Sequence, residues 1–309
     1  MIAVARAPAY LTIQDMGRHG YRSAGVPRGG AMDEWSLAAV NQIVGNARGA
    51  AGLEWALSGG ALQFRDNTTF AIGGADAVCA LSGISVDPYR AISAKAGDTL
   101  VVDRIIGGRF LYVAVSRGIA CEPVLGSRST YLAGGFGGHD GRRLRSGDLI
   151  ATGAVRRSMR RHQVSDPLPA HLQPSLRTDA MRIVLKLFAG GDPVHDFMFA
   201  RYHVSLASDR TGYRLDGIMQ TGGESVTSEP VCPGAIQLPP DGGPIVLMAD
   251  APTIGGYRVA GCVISADLGS LAQKVPGDEV TFEAVSVRVA QAHLQKREEL
   301  MNAIAEWAL

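Results

Sequence analysis

The segment from Asp209 to Arg214 brings together side chains that can bind an anion and move a proton. It holds one aspartate, two arginines and one tyrosine within six residues. Arginine binds a carboxylate or a similar oxyanion through two parallel hydrogen bonds, and a tyrosine hydroxyl can donate a proton or a hydrogen bond. The candidate catalytic residues here are Asp209, Arg210 and Tyr213, with Arg214 as a candidate for substrate binding. The alternative is a structural aspartate–arginine pair that fixes a turn.

Two further segments of the second half carry polar groups on rigid or open backbone. Gln237 and Asp241 flank a Pro-Pro pair, which would hold both side chains in place. Asp250 precedes a Thr-Ile-Gly-Gly-Tyr loop, whose glycines permit a ligand to approach the backbone amides closely. We therefore expect a small carboxylate or ureido ligand to bind in a cleft here. These segments add Asp250 and Tyr257 as catalytic candidates, and Gln237, Asp241, Gly255, Gly256 and Arg258 as substrate-binding candidates.

The first half contributes a second group of candidates. Arg128 could bind an anion and Ser129 could donate a hydrogen bond to it, so both are taken as substrate-binding candidates. The alternative for this pair is a set of hydrogen bonds that stabilises a loop. Four further residues are candidates for the wall of a substrate canyon or for a partner surface: Asp15, Arg18, Arg28 and Asp33.

Composition and motif content exclude several classes of function. The 30 basic and 29 acidic residues give a net charge of +1, so no long-range field favours nucleic acid or an anionic membrane. The sequence has no P-loop, no GxSxG and no HExxH motif. The four cysteines form no CxxC pair and the seven histidines are scattered, so we predict no metal site and expect each cysteine to be buried. No signal peptide or membrane span is apparent, which predicts a cytoplasmic protein.

The elements that must position these residues are mostly strands. The 39 glycines and 15 prolines separate many short apolar runs, which is typical of a β-rich protein. Three segments share a Gly-Asp turn followed by an apolar strand, at Gly97, Gly147 and Gly277. In each we expect a left-handed glycine and an aspartate that closes the turn. Separate strands are predicted for Thr69–Gly73, Thr99–Asp103, Phe110–Val115, Ile183–Leu187 and Pro244–Ala249.

Three helices and a linker complete the predicted organisation. The helices are expected over Met32–Val44, over Asp192–Tyr202 with Asp192 as N-cap, and over the C-terminal tail from Ala290. A proline-containing, weakly periodic stretch lies between the halves. The predicted division is an N-terminal β domain over 1–155, a linker over 156–180, a C-terminal β domain over 181–289 and a helix over 290–309.

Several glycine-containing polar segments occur in a specific order along the chain. They are Thr12–Arg18, Gly25–Asp33, Leu125–Thr130, Ser208–Leu215, Pro233–Gly242 and Ala249–Tyr257. Together they resemble the KipA family, also known as the second subunit of allophanate hydrolase or the C-type subunit of 5-oxoprolinase, over about residues 7 to 288. The same unit forms part of the carboxyltransferase region of urea carboxylase. The resemblance implies a mainly β fold of two cyclophilin-like β-barrel domains with a few peripheral helices.

The resemblance also implies a subunit that acts with partners. It predicts a KipI-like B-type subunit, together with a LamB/YcsF-like A-type subunit or a biotin carboxylase. The implied activity is ATP-dependent opening of 5-oxoproline to glutamate, or transfer of a carboxyl group from carboxybiotin. No lysine here has a biotinylation setting, so we expect no covalently bound cofactor, with ATP or carboxybiotin supplied through partner subunits and the chain inactive alone. The alternative is a regulatory protein that antagonises a KipI-like histidine-kinase inhibitor.

One departure from the family pattern bears on the substrate. Members of the family usually have Pro-Lys after the Gly-Gly-Tyr turn, whereas Arg258 and Val259 stand here. Arg258 either supplies the positive charge of the missing lysine or points into solvent, and the sequence leaves both open.

Overall fold

The chain folds into two compact units that are each built around β-sheet. The computed structural model describes residues 1–153, 166–174, 178, 180–186, 194–217, 225–240 and 243–308. Unit 1 comprises Met1–Arg18, Gly29–Leu176 and Glu299–Leu309, and unit 2 comprises His19–Arg28 and Arg177–Glu298. These bounds differ from the predicted division because each unit takes a segment from the other's part of the sequence. The fold is mainly β, as predicted.

Unit 1 contains a curled sheet of nine strands. In chain order they are β1 Ile2–Arg6, β2 Tyr10–Gln14, β3 Gly52–Ala56, β4 Gly60–Phe64, β5 Thr68–Leu81, β6 Ile84–Ser85, β7 Ile92–Ala94, β8 Thr99–Val115 and β9 Leu149–Ile150. The strand order is β2-β3-β8-β4-β1-β9, and β5 pairs with β6, β7 and β8. One face of this sheet packs a core around Trp55, Leu111 and Val113, all almost fully buried.

Strand β8 joins two runs that the sequence predicts as separate strands. The polar and glycine-containing stretch between them stays paired with β5, where Val78 lies opposite Arg104 and Ala77 opposite Ile105. At each shift of register the extra residues lie in β8, so β8 carries the bulges. Because a bulge bends and twists a strand but disrupts the pairing only locally, β8 continues across a stretch that has no strand-like pattern.

Helix α1 of unit 1 spans Glu34–Ile43, in agreement with the predicted Met32–Val44. Asp33 is its N-cap, since the carboxylate accepts a hydrogen bond from the backbone of Ser36 at 3.1 Å. Residues Leu37, Val40 and Ile43 recur at helical spacing and are fully buried.

Unit 2 contains a sheet of eight strands that closes on itself. They are β10 Ala180–Leu185, β11 Tyr202–Val204, β12 Gly212–Asp216, β13 Ser225–Pro230, β14 Ala235–Leu238, β15 Ile245–Leu247, β16 Ile254–Val263 and β17 Glu279–Ala284. The order is β10-β17-β11-β12-β15-β14-β16, and β16 pairs back onto β10. This is a closed barrel of seven strands, with β13 added on the free side of β16. The two predicted barrels are therefore one closed barrel and one curled half-barrel.

The other described α-helices are α2 Val194–Phe199, α3 Leu268–Ala272 and α4 Val287–Trp307. The second predicted helix is confirmed in its centre, but its predicted end is wrong because Tyr202 begins β11. Asp192, its predicted N-cap, lies outside the described residues. Helix α4 begins three residues before the predicted Ala290. Among the described residues, no helix is long and apolar enough to span a membrane.

The three Gly-Asp turns have the geometry that the sequence predicts. The glycine φ angles are 96° at Gly97, 93° at Gly147 and 93° at Gly277, all left-handed. In each turn the aspartate accepts a hydrogen bond from the backbone N–H three residues earlier, from Lys95 to Asp98 (2.8 Å), Arg145 to Asp148 (2.7 Å) and Val275 to Asp278 (2.8 Å). A turn of this type is therefore specified locally, by residue types alone.

The predicted linker lies largely outside the described residues, but residues 166–174 are described. Leu168 is buried in unit 1, and its backbone N–H donates to the carbonyl of Tyr89 at 2.8 Å. This part of the stretch packs against unit 1, and the linker over 156–180 stays a prediction.

Candidate functional site

Arg210 and Asp250 form a buried ion pair in unit 2. The guanidinium donates two hydrogen bonds to the carboxylate, Nε to Oδ2 at 2.8 Å and Nη2 to Oδ1 at 2.9 Å. The backbone N–H of Asp250 also donates to the carbonyl of Arg210 at 2.9 Å. Both side chains are 8% exposed. The pair fixes the loop before β16 onto the turn before β12, and the arginine charge is matched within the protein.

The neighbours of Arg210 in sequence have distinct positions. Asp209 closes a turn, since its carboxylate accepts hydrogen bonds from the backbone of Thr211 at 2.8 Å and Gly212 at 3.2 Å. Tyr213 is fully buried, and its hydroxyl donates to the carbonyl of Ala272 at 2.7 Å. Arg214 is exposed. Of the candidates in this segment, Asp209 and Arg214 are therefore the ones that solvent reaches readily.

Gln237 and Gly255 are in close contact on one face of the barrel. A Cβ atom placed on Gly255 would come within 2.2 Å of Gln237 Nε2, so a larger residue here would displace this amide. Gln237 lies opposite Val259, and Tyr257 is two residues from Val259, so the three share one face. Gly255, which the sequence predicts to contact a ligand, thus lies against the Gln237 side chain of the protein itself.

The remaining candidates of unit 2 lie along β16 and in the loop after β14. Tyr257 is 39% exposed and Arg258 is half-buried, opposite Leu238. Gly256 has the carbonyl of Val226 and the Ser228 hydroxyl as neighbours, 3.6 and 3.7 Å from a Cβ position. Asp241 lies outside the described residues. Arg28 is half-buried. It belongs to unit 2 as part of the segment 19–28.

Asp15 is the centre of a hydrogen-bonded knot in unit 1. Its carboxylate accepts four hydrogen bonds, from Gly17 N (2.8 Å), Ser127 Oγ (2.7 Å), Arg128 N (2.6 Å) and Ser129 Oγ (2.5 Å). Ser129 Oγ accepts a bond in return from the backbone N–H of Asp15 at 2.9 Å. The knot attaches the 127–129 loop to the end of β2.

The charged candidates around this knot are engaged within unit 1. Arg128 Nε donates to the carbonyl of Cys121 at 2.8 Å. Arg18 is 1% exposed, donates to the carbonyl of Ser129 at 2.5 Å and lies 4.9 Å over the ring of Phe136. These contacts match the loop-stabilising alternative for Arg128 and Ser129. Their role in substrate binding stays a prediction.

Unit 1 also contains a buried polar network that the sequence analysis missed. The hydroxyl of Tyr112 donates to Glu54 Oε2 at 2.9 Å and accepts from the backbone N–H of Asp33 at 2.7 Å. The backbone N–H of Met32 donates to the same Glu54 oxygen at 2.7 Å. Burial, and then the charge of Glu54, raise the pKa of Tyr112 well above its usual value. The sequence feature that could have indicated a buried polar network is the alternation of polar residues in β2, at Tyr10, Thr12 and Gln14.

A cavity of about 490 Å³ opens elsewhere in unit 1. It is lined by residues 7–9, Leu132 and 141–146, and none of these is a predicted site residue. Two of its three arginines are engaged: Arg142 pairs with Asp148 at 2.7 and 2.9 Å, and Arg143 lies 5.3 Å over the ring of Tyr10. Within the described part of the chain, no cluster of three or more potential metal ligands occurs.

The prediction that every cysteine is buried is wrong for Cys232. Cys79 is buried, whereas Cys232 is exposed and lies beside Cys262, which is partly buried. The barrel pairing brings together two thiols that are 30 residues apart in sequence. A spacing rule such as CxxC cannot detect a pair of this kind.

Arg22 is a further residue of this region that the sequence analysis did not single out. Its guanidinium donates to the carbonyl of Val231, and to that of Pro252 at 3.2 Å. It thereby reaches the segments that precede β14 and β16. Unit 2 thus combines a supporting ion pair at Arg210 and Asp250 with accessible groups at Tyr257, Arg258 and Arg214, an arrangement that can bind a small anionic ligand.

Comparison with known proteins gives consistent matches over the chain. Residues 24–284 match the family model described as carboxyltransferase domain, subdomain A and B. The chain is 34% identical to the C-type subunit of 5-oxoprolinase from Escherichia coli strain K12, over 100% of this chain and 99% of the relative. It is 32% identical to the urea amidolyase of Lachancea kluyveri, over 92% of this chain but 17% of the relative.

A solved structure shows the same architecture. The crystal structure of Kluyveromyces lactis urea carboxylase superposes with a TM-score of 0.88 at 27% sequence identity. The superposition covers 100% of this chain and 29% of the larger enzyme. The chain therefore spans less than a third of that protein, and nearly all of the E. coli relative.

Proposed function

This chain belongs to the family of carboxyltransferase domains with subdomains A and B, and from that premise we propose that it is the C-type subunit of an ATP-dependent 5-oxoprolinase. The observation that carries the proposal is the end-to-end match with the E. coli 5-oxoprolinase relative, over 100% of this chain and 99% of the relative. A match of that extent supports the C-type subunit as the counterpart of this chain. The reaction proposed for the assembled enzyme is the opening of 5-oxoproline to glutamate.

In this proposal the chain acts together with a B-type and an A-type subunit. The E. coli relative is named as one subunit of 5-oxoprolinase, which supports a multi-chain enzyme. The matched region is 29% of the urea carboxylase chain, so most of that enzyme also lies outside this unit. We propose accordingly that ATP chemistry is carried out with partner subunits and that the chain has no turnover alone.

The proposed ligand site is the face of unit 2 that carries Gln237 and Tyr257. The ring of 5-oxoproline presents a carboxylate and an amide, which need a cation and hydrogen-bond donors. Arg214 provides the cation, because it lies opposite Ile245, which in turn lies opposite Gln237 on the same face. The partly exposed Tyr257 provides a donor. Arg210 and Asp250 act as positioning residues, because their mutual hydrogen bonds hold the loop that leads into β16.

The first experiment measures glutamate formation from 5-oxoproline and ATP, by chromatography. We expect no turnover from the purified chain and turnover once the B-type and A-type subunits are added. ATP-dependent turnover by the chain alone would contradict the incomplete-subunit proposal. No turnover by the full assembly would contradict the 5-oxoprolinase assignment.

The second experiment tests the site with matched tyrosines of unit 2. Tyr257 is 39% exposed and Tyr21 is 38% exposed, so the two side chains are matched in exposure. Tyr257→Phe removes one hydrogen bond to the ligand, worth about 0.5–1.5 kcal/mol, and should reduce kcat/KM about two- to tenfold. Tyr21→Phe should leave kcat/KM unchanged. Equal kinetics for both variants would remove Tyr257 from the site.

A second candidate function is transfer of a carboxyl group from carboxybiotin to urea or a similar acceptor. The structural agreement with Kluyveromyces lactis urea carboxylase, at a TM-score of 0.88, favours keeping it. The two functions are distinguished by the acceptor: bicarbonate-dependent carboxylation of urea in the presence of a biotin carboxylase partner supports the second and not the first.

A further inference from the structure

Cys232 and Cys262 form a thiol pair at the start of strand β14. Cys232 lies in the turn that leads into β14, with its carbonyl accepting a hydrogen bond from the backbone N–H of Ala235 at 3.0 Å. Ala235 is in turn the register partner of Cys262 on β16. The barrel therefore fixes both cysteines on adjacent backbone.

The thiol of Cys262 points at the turn that carries Cys232. Its Sγ atom lies 3.8 Å from the carbonyl oxygen of Pro233 and 3.5 Å from that of Val263. A Cβ atom on Gly234 would lie 3.0 Å from the same sulfur, so the glycine, at φ 91°, leaves room for it. Cys262 is the deeper of the two thiols, since it is partly buried whereas Cys232 is exposed.

Arg22 supplies a cation beside this pair. Its Nη2 atom is held by the carbonyls of Val231 and Pro252, on either side of the Cys232 turn. Its Nη1 atom is buried and has no hydrogen-bond acceptor among the described residues. An anionic sulfur at Cys232 would satisfy the charge of this guanidinium.

The pKa of Cys232 is shifted in the opposite direction to the pKa values of Cys79 and Cys121. The neighbouring Cys262 thiol and, to a smaller extent, the charge of Arg22 lower the pKa of Cys232 to about 6, against the opposing effect of burial. Burial raises the pKa of Cys79 to about 12 and also raises that of Cys121. Cys232 is thus the exposed thiol, and its pKa is lowered whereas those of Cys79 and Cys121 are raised.

We propose that Cys232 and Cys262 are a reversible thiol–disulfide couple, in which Cys232 is the thiolate that attacks a hydroperoxide oxidant and Cys262 is the resolving thiol. In the first step the Cys232 sulfur attacks one peroxide oxygen, the O–O bond breaks, and the second oxygen leaves as water or an alcohol after taking a proton. The product is a sulfenic acid at Cys232. In the second step the Cys262 sulfur attacks this sulfenic sulfur, and water leaves with the Cys262 proton. The peroxide is reduced and the two thiols are oxidised, and a dithiol reductant reverses the change.

The disulfide would form next to the proposed ligand face. Strand β14, which follows the Cys232 turn, carries Gln237, and β16 carries Gly255 and Tyr257. Oxidation removes the negative charge beside Arg22 and joins the start of β14 to β16. Any resulting change in turnover rests on the proposed function, whereas formation of the disulfide does not.

The experiment uses the full, reduced chain treated with a small molar excess of hydrogen peroxide, then alkylated and digested for mass spectrometry. We expect one disulfide-linked peptide that contains Cys232 and Cys262, with Cys79 and Cys121 alkylated as free thiols. Dithiothreitol should restore alkylation of all four. Recovery of unlinked Cys232 and Cys262 peptides, or a disulfide only between two chains on a non-reducing gel, would overturn the proposal.

Single variants separate the roles of the two thiols. Cys262→Ser should stop at a sulfenic acid on Cys232 that dimedone traps, while Cys232→Ser should leave Cys262 unmodified. Cys121→Ser is the matched control and should form the disulfide as wild type does. If the Cys262→Ser chain gave no dimedone adduct while remaining folded by circular dichroism, the assignment of Cys232 as the attacking thiolate would be wrong.

Alkylation rates test the contribution of Arg22. The rate of iodoacetamide modification of Cys232 in the Cys262→Ser chain should rise with pH, and Arg22→Gln should shift the midpoint to higher pH, while Arg22→Lys should shift it less. An unchanged midpoint in Arg22→Gln would exclude the guanidinium from the site. Measuring glutamate formation by the oxidised assembly is a separate readout, so a linked peptide with unaltered turnover would confirm the couple and exclude its effect on activity.

Discussion

Asp15 of unit 1 and Asp250 of unit 2 are both candidate residues, and both are 8% exposed, yet they are satisfied in different ways. Asp15 accepts four hydrogen bonds from uncharged donors, namely two serine hydroxyls and two backbone N–H groups. Asp250 accepts side-chain hydrogen bonds from the guanidinium of Arg210. The same residue type at the same burial therefore closes a loop in one unit and neutralises a charge in the other.

This difference determines what is left behind when each carboxylate is removed. Without Asp250, a cation of 7% exposure loses the carboxylate that it binds through two hydrogen bonds. Without Asp15, only neutral donors lose an acceptor. Burial alone therefore does not predict how much stability is lost when such a carboxylate is removed. The charge of its partner has to be known as well.

The largest expected effect follows from removing Asp250. Asp250→Ala takes the carboxylate away from the buried Arg210 guanidinium and should lower the free energy of unfolding by about 3–5 kcal/mol, measured by urea titration. Replacing both partners, as Arg210→Met with Asp250→Ala, should cost less than Asp250→Ala alone, because the buried cation is removed as well. The exposed Asp216→Ala is the control and should change stability by less than about 0.5 kcal/mol. A double variant less stable than the single one would contradict the comparison.

A smaller effect is expected at Asp15. Asp15→Asn keeps the shape but turns an amide N–H₂ toward donors, so at least one buried donor loses its acceptor. We expect a loss of about 1–3 kcal/mol in the free energy of unfolding, without the recovery on double substitution that Asp250 should show. Asp140→Asn is the control, since the Asp140 side chain is 80% exposed. Stability equal to wild type would show that the knot does not need a carboxylate.

The smallest effect is expected at Asp148. Like Asp250 it is bound by an arginine, but its side chain is more exposed, at 14%. The pKa of Asp148 is lowered to about 2, and the hydrogen bonds from Arg142 make the largest contribution to this shift. A lowered carboxyl pKa stabilises the fold above the unfolded value of about 3.9, and this stabilisation is lost as pH falls toward 2.

Asp148→Asn should therefore be less stable than wild type by about 1–2 kcal/mol at neutral pH and should converge with it as the pH approaches 2. Urea midpoints measured from pH 7 to pH 2 give this difference directly. Asp103→Asn, whose ion pair with Arg104 is exposed, is the matched control. A difference from wild type that stays constant over this range would assign the effect to lost hydrogen bonds and not to charge.

Local features of this protein were predictable from sequence because they depend on neighbouring residues. The three Gly-Asp turns need a left-handed glycine and an aspartate one residue later, and all three form as predicted. Helix α1 needs an N-cap and a buried stripe, and both Asp33 and the apolar spacing are visible in the sequence. The family was also readable, since its segments occur in order and the family model matches residues 24–284.

The candidate site was predictable only in part, because residue type does not reveal the partner. Arg210 and Asp250 were each selected for possible chemistry, but their pairing across 40 residues makes them support each other. Gly255 was selected for open backbone, and the structure fills that space with the Gln237 amide. Cys232 and Cys262 were dismissed for lack of a spacing motif.

The sequence by itself determined the turns, helix α1, the β-rich character and the family of this protein. Only the tertiary structure decided that β10 pairs with β16 to close a barrel, that residues 19–28 belong to unit 2, and that Cys232 meets Cys262 beside Arg22. The physical reason is the range of the interactions. A turn or a helix cap is formed by residues a few positions apart, whereas barrel closure and thiol pairing depend on strands whose partners are set by the packing of the whole unit.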